Sequence, residues 1–399
     1  MARLTIILLL LTTTFHFTSN GKELPIDSIG IEFLGMKPLI PAPGILEPFK
    51  GSLQEKDIKD YILKMDSDRM KSIAASLIKL KDQQRLNDWL FYQLIRRTAE
   101  NCISKKSDYI GYTLYKWYLL KETGFEPLIS ISTEKILLYV KSNDDIYNLP
   151  LKNHNNKQYV CLNYHDYGFD IDLEKESFTN LDNMIKSGEN FSFKIHFIPT
   201  IDKQAYEKRQ LNFMYKQKED QISVLVNPDL RNYFKNYPVT DYKYQFNIPL
   251  SNETHESLIK SLKQKVSKFN TSKGVEYLMY FTRNAFAFEK DSQIFGREKR
   301  FSPEETLLYE TSDCEDRSAL FFYLVKEIYD LPMIVLAYED HVAVAVKLDI
   351  ETKSKIIYNN EAYTVCEATP QVKDLKIGMI AKELEKKPFE ISYSYTPTK

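Results

Sequence analysis

Asp313-Cys314-Glu315-Asp316-Arg317 sets a lone cysteine in an acidic turn, and Ser318-Ala319-Leu320 leads from it into an apolar run. Leu320, Phe321, Leu324, Val325 and Ile328 recur at helical spacing and predict one buried stripe. Cys314 therefore falls at or just before the first turn of a helix, where free backbone N–H groups and the macrodipole favour a thiolate. Pro332 ends that helix, and residues 333–338 read as a buried strand.

A turn at Glu339-Asp340 leads into residues 341–348, whose alternation puts His341, Ala343 and Ala345 on one face. The small residues there leave room for the cysteine helix. Residues 363–367 alternate too, with Glu367 on the face opposite Cys366. If Leu348 pairs near Asn360, His341 lies across from Glu367, with Cβ atoms roughly 4.5–5.5 Å apart. Tyr358-Asn359-Asn360-Glu361 also reads as a tight turn, so part of the last strand can pair with residues 356–358 instead. In order, these are a nucleophile (Cys314), a base (His341) and an orienting acid (Glu367). Taken singly, each has a plainer reading: a structural cysteine, a surface histidine, a solvated carboxylate.

Residues 274–383 resemble the transglutaminase-like superfamily, papain-related cysteine enzymes with a Cys-His-Asp triad. The resemblance rests on residues 312–320, on residues 340–345 and on residues 365–370, and the Asp-Cys-Glu-Asp string is similar to that of the bacterial transglutaminase-like cysteine proteinases. It implies a papain-like core, with Cys314 as nucleophile, His341 as general base and acid, and Glu367 in the place of the family's aspartate. Two positions depart from the pattern: Ser312 replaces the usual Gly, and Glu367 is one methylene longer than Asp. Most bacterial members resemble hydrolases, many of them periplasmic. Some relatives bind calcium through acids flanking the cysteine, which Asp313, Glu315 and Asp316 could mirror. Complementing the helix dipole explains the same acids without a metal. Such acids oppose thiolate formation unless a partner such as Arg317 offsets them.

The first half repeats the pattern. Residues 112–127 echo residues 317–332, with Lys121-Glu122 matching Lys326-Glu327 and Pro127 matching Pro332. Residues 88–92 echo 276–280, and Tyr159-Val160-Cys161 echoes residues 363–366, which gives Cys161 and Cys366 equivalent places. Tyr109 then replaces the nucleophile, Lys135 or Ile136 the histidine, and Leu162 the acid. Residues 53–168 thus read as a degenerate, non-catalytic module, in which His165 is taken as a loop residue.

A basic head followed by the apolar residues 4–11 reads as a signal peptide, over residues 1–21. The run is too short for a membrane span, so an exported protein, periplasmic or secreted, is expected. A net charge of −1 suggests no polyanion and no nucleic-acid partner. No Cys/His spacing resembles a zinc site, and no cofactor is expected. The four cysteines do not form a disulfide scaffold in so long a chain. Residues 22–52 read as an extended lead-in, with helices at 54–65, 67–81 and 86–102. Residues 169–251 read as a β-rich spacer, a small sandwich built from strands at 191–198, 210–215, 221–226 and 242–248. Residues 252–399 form the catalytic module, opened by a helix at 254–268. Residues 288–311 offer a cleft wall, and Tyr309 a side-chain donor to an oxyanion.

The expectation is an α+β protein with a duplicated transglutaminase-like core around a β-rich segment. Its second copy would cut a peptide or other amide bond in a protein or peptide substrate, through a thioacyl intermediate. Two rivals are a transamidase and a non-catalytic binding or scaffold protein.

Overall fold

The computed structural model describes residues 27–168, 171–173, 175–352 and 354–397. The segment read as a signal peptide lies outside the described residues. No helix among the described residues is long and apolar enough to cross a membrane. The fold mixes helices with mainly antiparallel sheets and is of α+β type.

Strands β1 (Ser28–Gly30) and β2 (Leu39–Pro41) pair antiparallel, so the lead-in folds back on itself. Leu34 and Gly35 take positive φ at the reversal, and Phe33 and Leu34 are buried there. Helices α1 (Glu55–Met65), α2 (Asp68–Gln84), α3 (Asp88–Cys102) and α4 (Tyr109–Glu122) follow. Ser67, Asn87 and Asp108 cap the last three through side-chain oxygens.

Strands β3 (Pro127–Ile131), β4 (Ile136–Lys141), β5 (Leu151–His154), β6 (Lys157–Cys161) and β7 (Thr179–Asn180) form a sheet in the order β5-β6-β4-β3-β7. Strands β8 (Glu207–Tyr215) and β9 (Lys218–Val226) make an isolated hairpin. Short helices α5 (Leu230–Phe234) and α6 (Tyr242–Gln245) come next. The expected sandwich is absent from the described residues. Phe191, Phe193 and Ile195 alternate in burial, but their backbone joins no ladder, and residues 242–245 are helical.

The second half begins with α7 (Asn252–Val266), α8 (Thr271–Asn284), β10 (Ala287–Phe288), α9 (Asp291–Ile294), α10 (Pro303–Leu308) and β11 (Thr311–Ser312). Helix α11 (Cys314–Tyr329) precedes β12 (Met333–Ala337), β13 (Val342–Val346), β14 (Lys355–Tyr358), β15 (Glu361–Cys366) and β16 (Glu390–Tyr395). Their sheet has the order β14-β15-β13-β12-β16. Strand for strand, this is the order of the first sheet.

Both sheets turn on an Asn-Asn pair with positive φ, Asn155-Asn156 and Asn359-Asn360. Pro127 pairs with Val140 as Met333 pairs with Val346. The Leu162 N–H bonds to the Leu138 carbonyl, and Val344 pairs with Cys366. In this register Lys135 holds the place of His341, and Asn163, not Leu162, holds that of Glu367. Cys366 matches Leu162, so the two strand cysteines are one place out of step.

The amphipathic stripe expected for α11 is a helix buried all round from Asp316 to Val325. It packs against α8, α10 and β13. It packs on the valine face of β13, because Val342, Val344 and Val346 share its core cluster. Ala343 and Ala345 belong to a second cluster on the far face, with Leu336 and Val365. The small residues therefore do not make room for the helix.

Candidate active site

Cys314 is the first residue of α11, and its place is set by a reciprocal cap. Asp313 Oδ1 accepts the N–H groups of Glu315 and Asp316 at 3.1 and 3.3 Å. Asp316 Oδ2 accepts the Asp313 N–H at 3.3 Å, and its Oδ1 accepts the Phe301 N–H at 2.7 Å. The helix start is thereby tied to the 299–301 loop. Arg317 is fully buried and does not pair with the flanking acids as expected. Its guanidinium donates to the Arg283 carbonyl at 2.6 Å, the Phe286 carbonyl at 2.9 Å and Ser312 Oγ at 3.0 Å. It anchors the helix to the end of α8.

His341 stands at the head of β13, after the turn closed by the Tyr338 N–H and its own carbonyl. His341 Nε2 lies 2.9 Å from Glu367 Oε2, and Glu367 Oε1 accepts the Thr369 N–H at 2.9 Å. The ladder runs two residues out of the expected register, with Val344 opposite Cys366, so Glu367 extrapolates to a place opposite Ala343. The pair still meets because a shift of two preserves the face and leaves diagonal neighbours within reach. The Arg283 guanidinium holds the Glu367 carbonyl with Nε at 3.0 Å and with Nη2. Burial pulls the His341 pKa down, but the hydrogen bond and charge of Glu367 outweigh it, and the net shift is upward.

Ser318 Oγ donates to the Val342 carbonyl at 2.9 Å, joining α11 to the strand head beside His341. The Val342 N–H faces the Cys314 sulfur. The thiol itself donates to Glu315 Oε2 at 2.7 Å, and no hydrogen bond joins it to His341 among the described residues. Burial, then the charges of Glu315 and Asp313, push the thiol well above its ordinary value. The expected depression by the helix N-terminus is overridden, by burial first and then by the carboxylates of the same first turn.

Carboxylate oxygens of Asp291, Asp313 and Asp316 lie within 4.8 Å of one another, all buried. No Lys, Arg or His forms an ion pair with them among the described residues. Burial raises Asp291 to about 7 and Asp313 to about 10, and Asp316 also rises far. Such a cluster shares protons or holds a hard cation.

Tyr309 stands at the C-terminal end of α10. Its ring stacks on Phe301 at 4.4 Å, lies 5.0 Å from the Arg231 guanidinium and lines a cavity with basic residues. In the first half, Tyr109 begins α4 as Cys314 begins α11. Its hydroxyl accepts from Asn163 Nδ2 at 2.8 Å and donates to Asp166 Oδ2 at 3.0 Å. Lys135 pairs instead with Glu176. Sequence reasoning missed Arg283 and Ser318, whose partners lie far along the chain.

Comparison with protein-family models, curated proteins and solved structures returned no match to this chain.

Proposed function

We propose that the chain is a transglutaminase-like cysteine hydrolase that cuts peptide or other amide bonds. The observation that carries this is the buried His341–Glu367 pair, set at a strand head whose next N–H faces the Cys314 sulfur. Glu367 engages Nε2, which leaves Nδ1 as the basic nitrogen of a neutral ring. Because burial and the acids hold the thiol protonated, the reaction starts from a neutral thiol and a neutral imidazole. The thiol turns from Glu315 and passes its proton to His341 as sulfur attacks the amide carbon. His341 then protonates the leaving nitrogen, the C–N bond breaks, and a thioester remains. Water, deprotonated by His341, releases the acid and restores the thiol.

A cation among Asp291, Asp313 and Asp316 would offset the negative charge around the helix start. The matching strand orders, caps and Asn-Asn turns support a duplicated core, its first copy inactive and its second catalytic. An exported location is proposed from residues 1–21 alone.

The test is release of new amino termini from unfolded casein by the full chain and by Cys314→Ala. Cleavage lost in the variant supports hydrolysis. Incorporation of a fluorescent amine without new termini points to transamidation. A binding protein is the second reading, favoured by the protonated thiol and its bond to Glu315.

A further inference from the structure

A cavity of about 840 Å³ opens between the first half and the loop ahead of the nucleophile helix. Arg96, Lys105, Arg231, Lys235, Arg297 and Lys299 line it, and Asp166 is the one carboxylate among its lining residues. Asp166 is matched by Lys105 at 2.6 Å, and Lys299 by Glu305 at 2.5 Å. Arg96, Arg231 and Lys235 form no ion pair among the described residues. Like charges gathered at a partly enclosed wall repel, and their field concentrates anions.

The cations are held rather than splayed. Arg96 Nη1 donates to Gln93 Oε1 at 2.8 Å. Arg231 Nη2 donates to the Leu308 carbonyl, with its plane over Tyr309. Guanidinium groups fixed in this way present their remaining N–H groups to phosphate or carboxylate oxygens. Lys105 and Asp166 come from around Tyr109 and Asn163, where the first half has lost its triad. On the other wall, the Lys299 and Phe301 N–H groups bond to Asp291 and Asp316, which ties the cavity to the start of α11.

We propose that this cavity binds a multiply charged anion carrying phosphate or carboxylate groups. It sits between Arg96 and Lys105 on one wall and Arg231, Lys235 and Arg297 on the other. The site stands apart from the hydrolase reading, since no group in it reacts.

The test is calorimetric titration of the full chain with tripolyphosphate and, separately, with citrate at low ionic strength. The site variant is Arg231→Glu/Lys235→Glu, both exposed, and the charge-matched control is Lys79→Glu/Lys260→Glu. Saturable binding of either anion should weaken by at least about tenfold in the site variant and stay unchanged in the control. The tighter of the two identifies the charged group of the natural ligand. No saturable binding of either anion, or equal weakening in both variants, would overturn the proposal.

Discussion

His341 Nε2 and Glu367 Oε2 meet at 2.9 Å although the two residues are diagonal, not opposite, in the sheet register. The extra methylene of a glutamate suits that diagonal. Arg283 holds the Glu367 backbone carbonyl and the Thr369 N–H holds its carboxylate, so the imidazole inherits a defined orientation.

Glu367→Gln should lower the His341 pKa, because burial then acts with less opposition. The folded ring now binds its proton more tightly than the unfolded chain does. The pair therefore contributes stability in full below the ordinary imidazole pKa of about 6.5, and loses it as pH rises through the folded value. Titration of the His341 ring by NMR, with melting curves across that window, should show a lower pKa and a flatter pH dependence in the variant.

Glu315→Gln should lower the Cys314 pKa and speed its alkylation at neutral pH. The variant removes the second-largest cause of the upward shift and turns a carboxylate acceptor into an amide. Iodoacetamide rates, read at the Cys314 peptide, should rise in the variant. An unchanged rate would mean that burial alone governs the thiol.

Arg317→Lys should cost about 3 kcal/mol of stability, since an ammonium cannot reach Arg283, Phe286 and Ser312 together. Urea unfolding measures this. The loss should appear in folding even when activity is assayed in the surviving native fraction.

Tyr109→Phe should destabilise by about 1 kcal/mol, by leaving Asn163 and Asp166 each short of one partner. Casein cleavage per folded molecule should not change. A loss of turnover would instead assign the first half a role in the chemistry.

Much of the site was legible because its signals are local. The helical spacing after Cys314 depends on neighbouring residues, and the Asn359-Asn360 turn fixes its own hairpin. The His341–Glu367 pairing was anticipated in its members but not in its register, since alternation specifies a face and not a partner. Alternation also misled at residues 242–248, which open with a short helix, and at the alanines of β13. The Arg283 contact spans 84 residues and leaves no local trace. The thiol's upward shift needed the carboxylate positions in space.

The most direct measurement is the pH profile of Cys314 acylation by an activated peptide ester, in wild type and in His341→Ala. With His341 as the base, the rate should rise as the imidazole loses its proton, at a pH above about 6.5. It should fall sharply in the variant. A rate that rises only with alkaline ionisation of the thiol, and is the same in both proteins, would contradict the account.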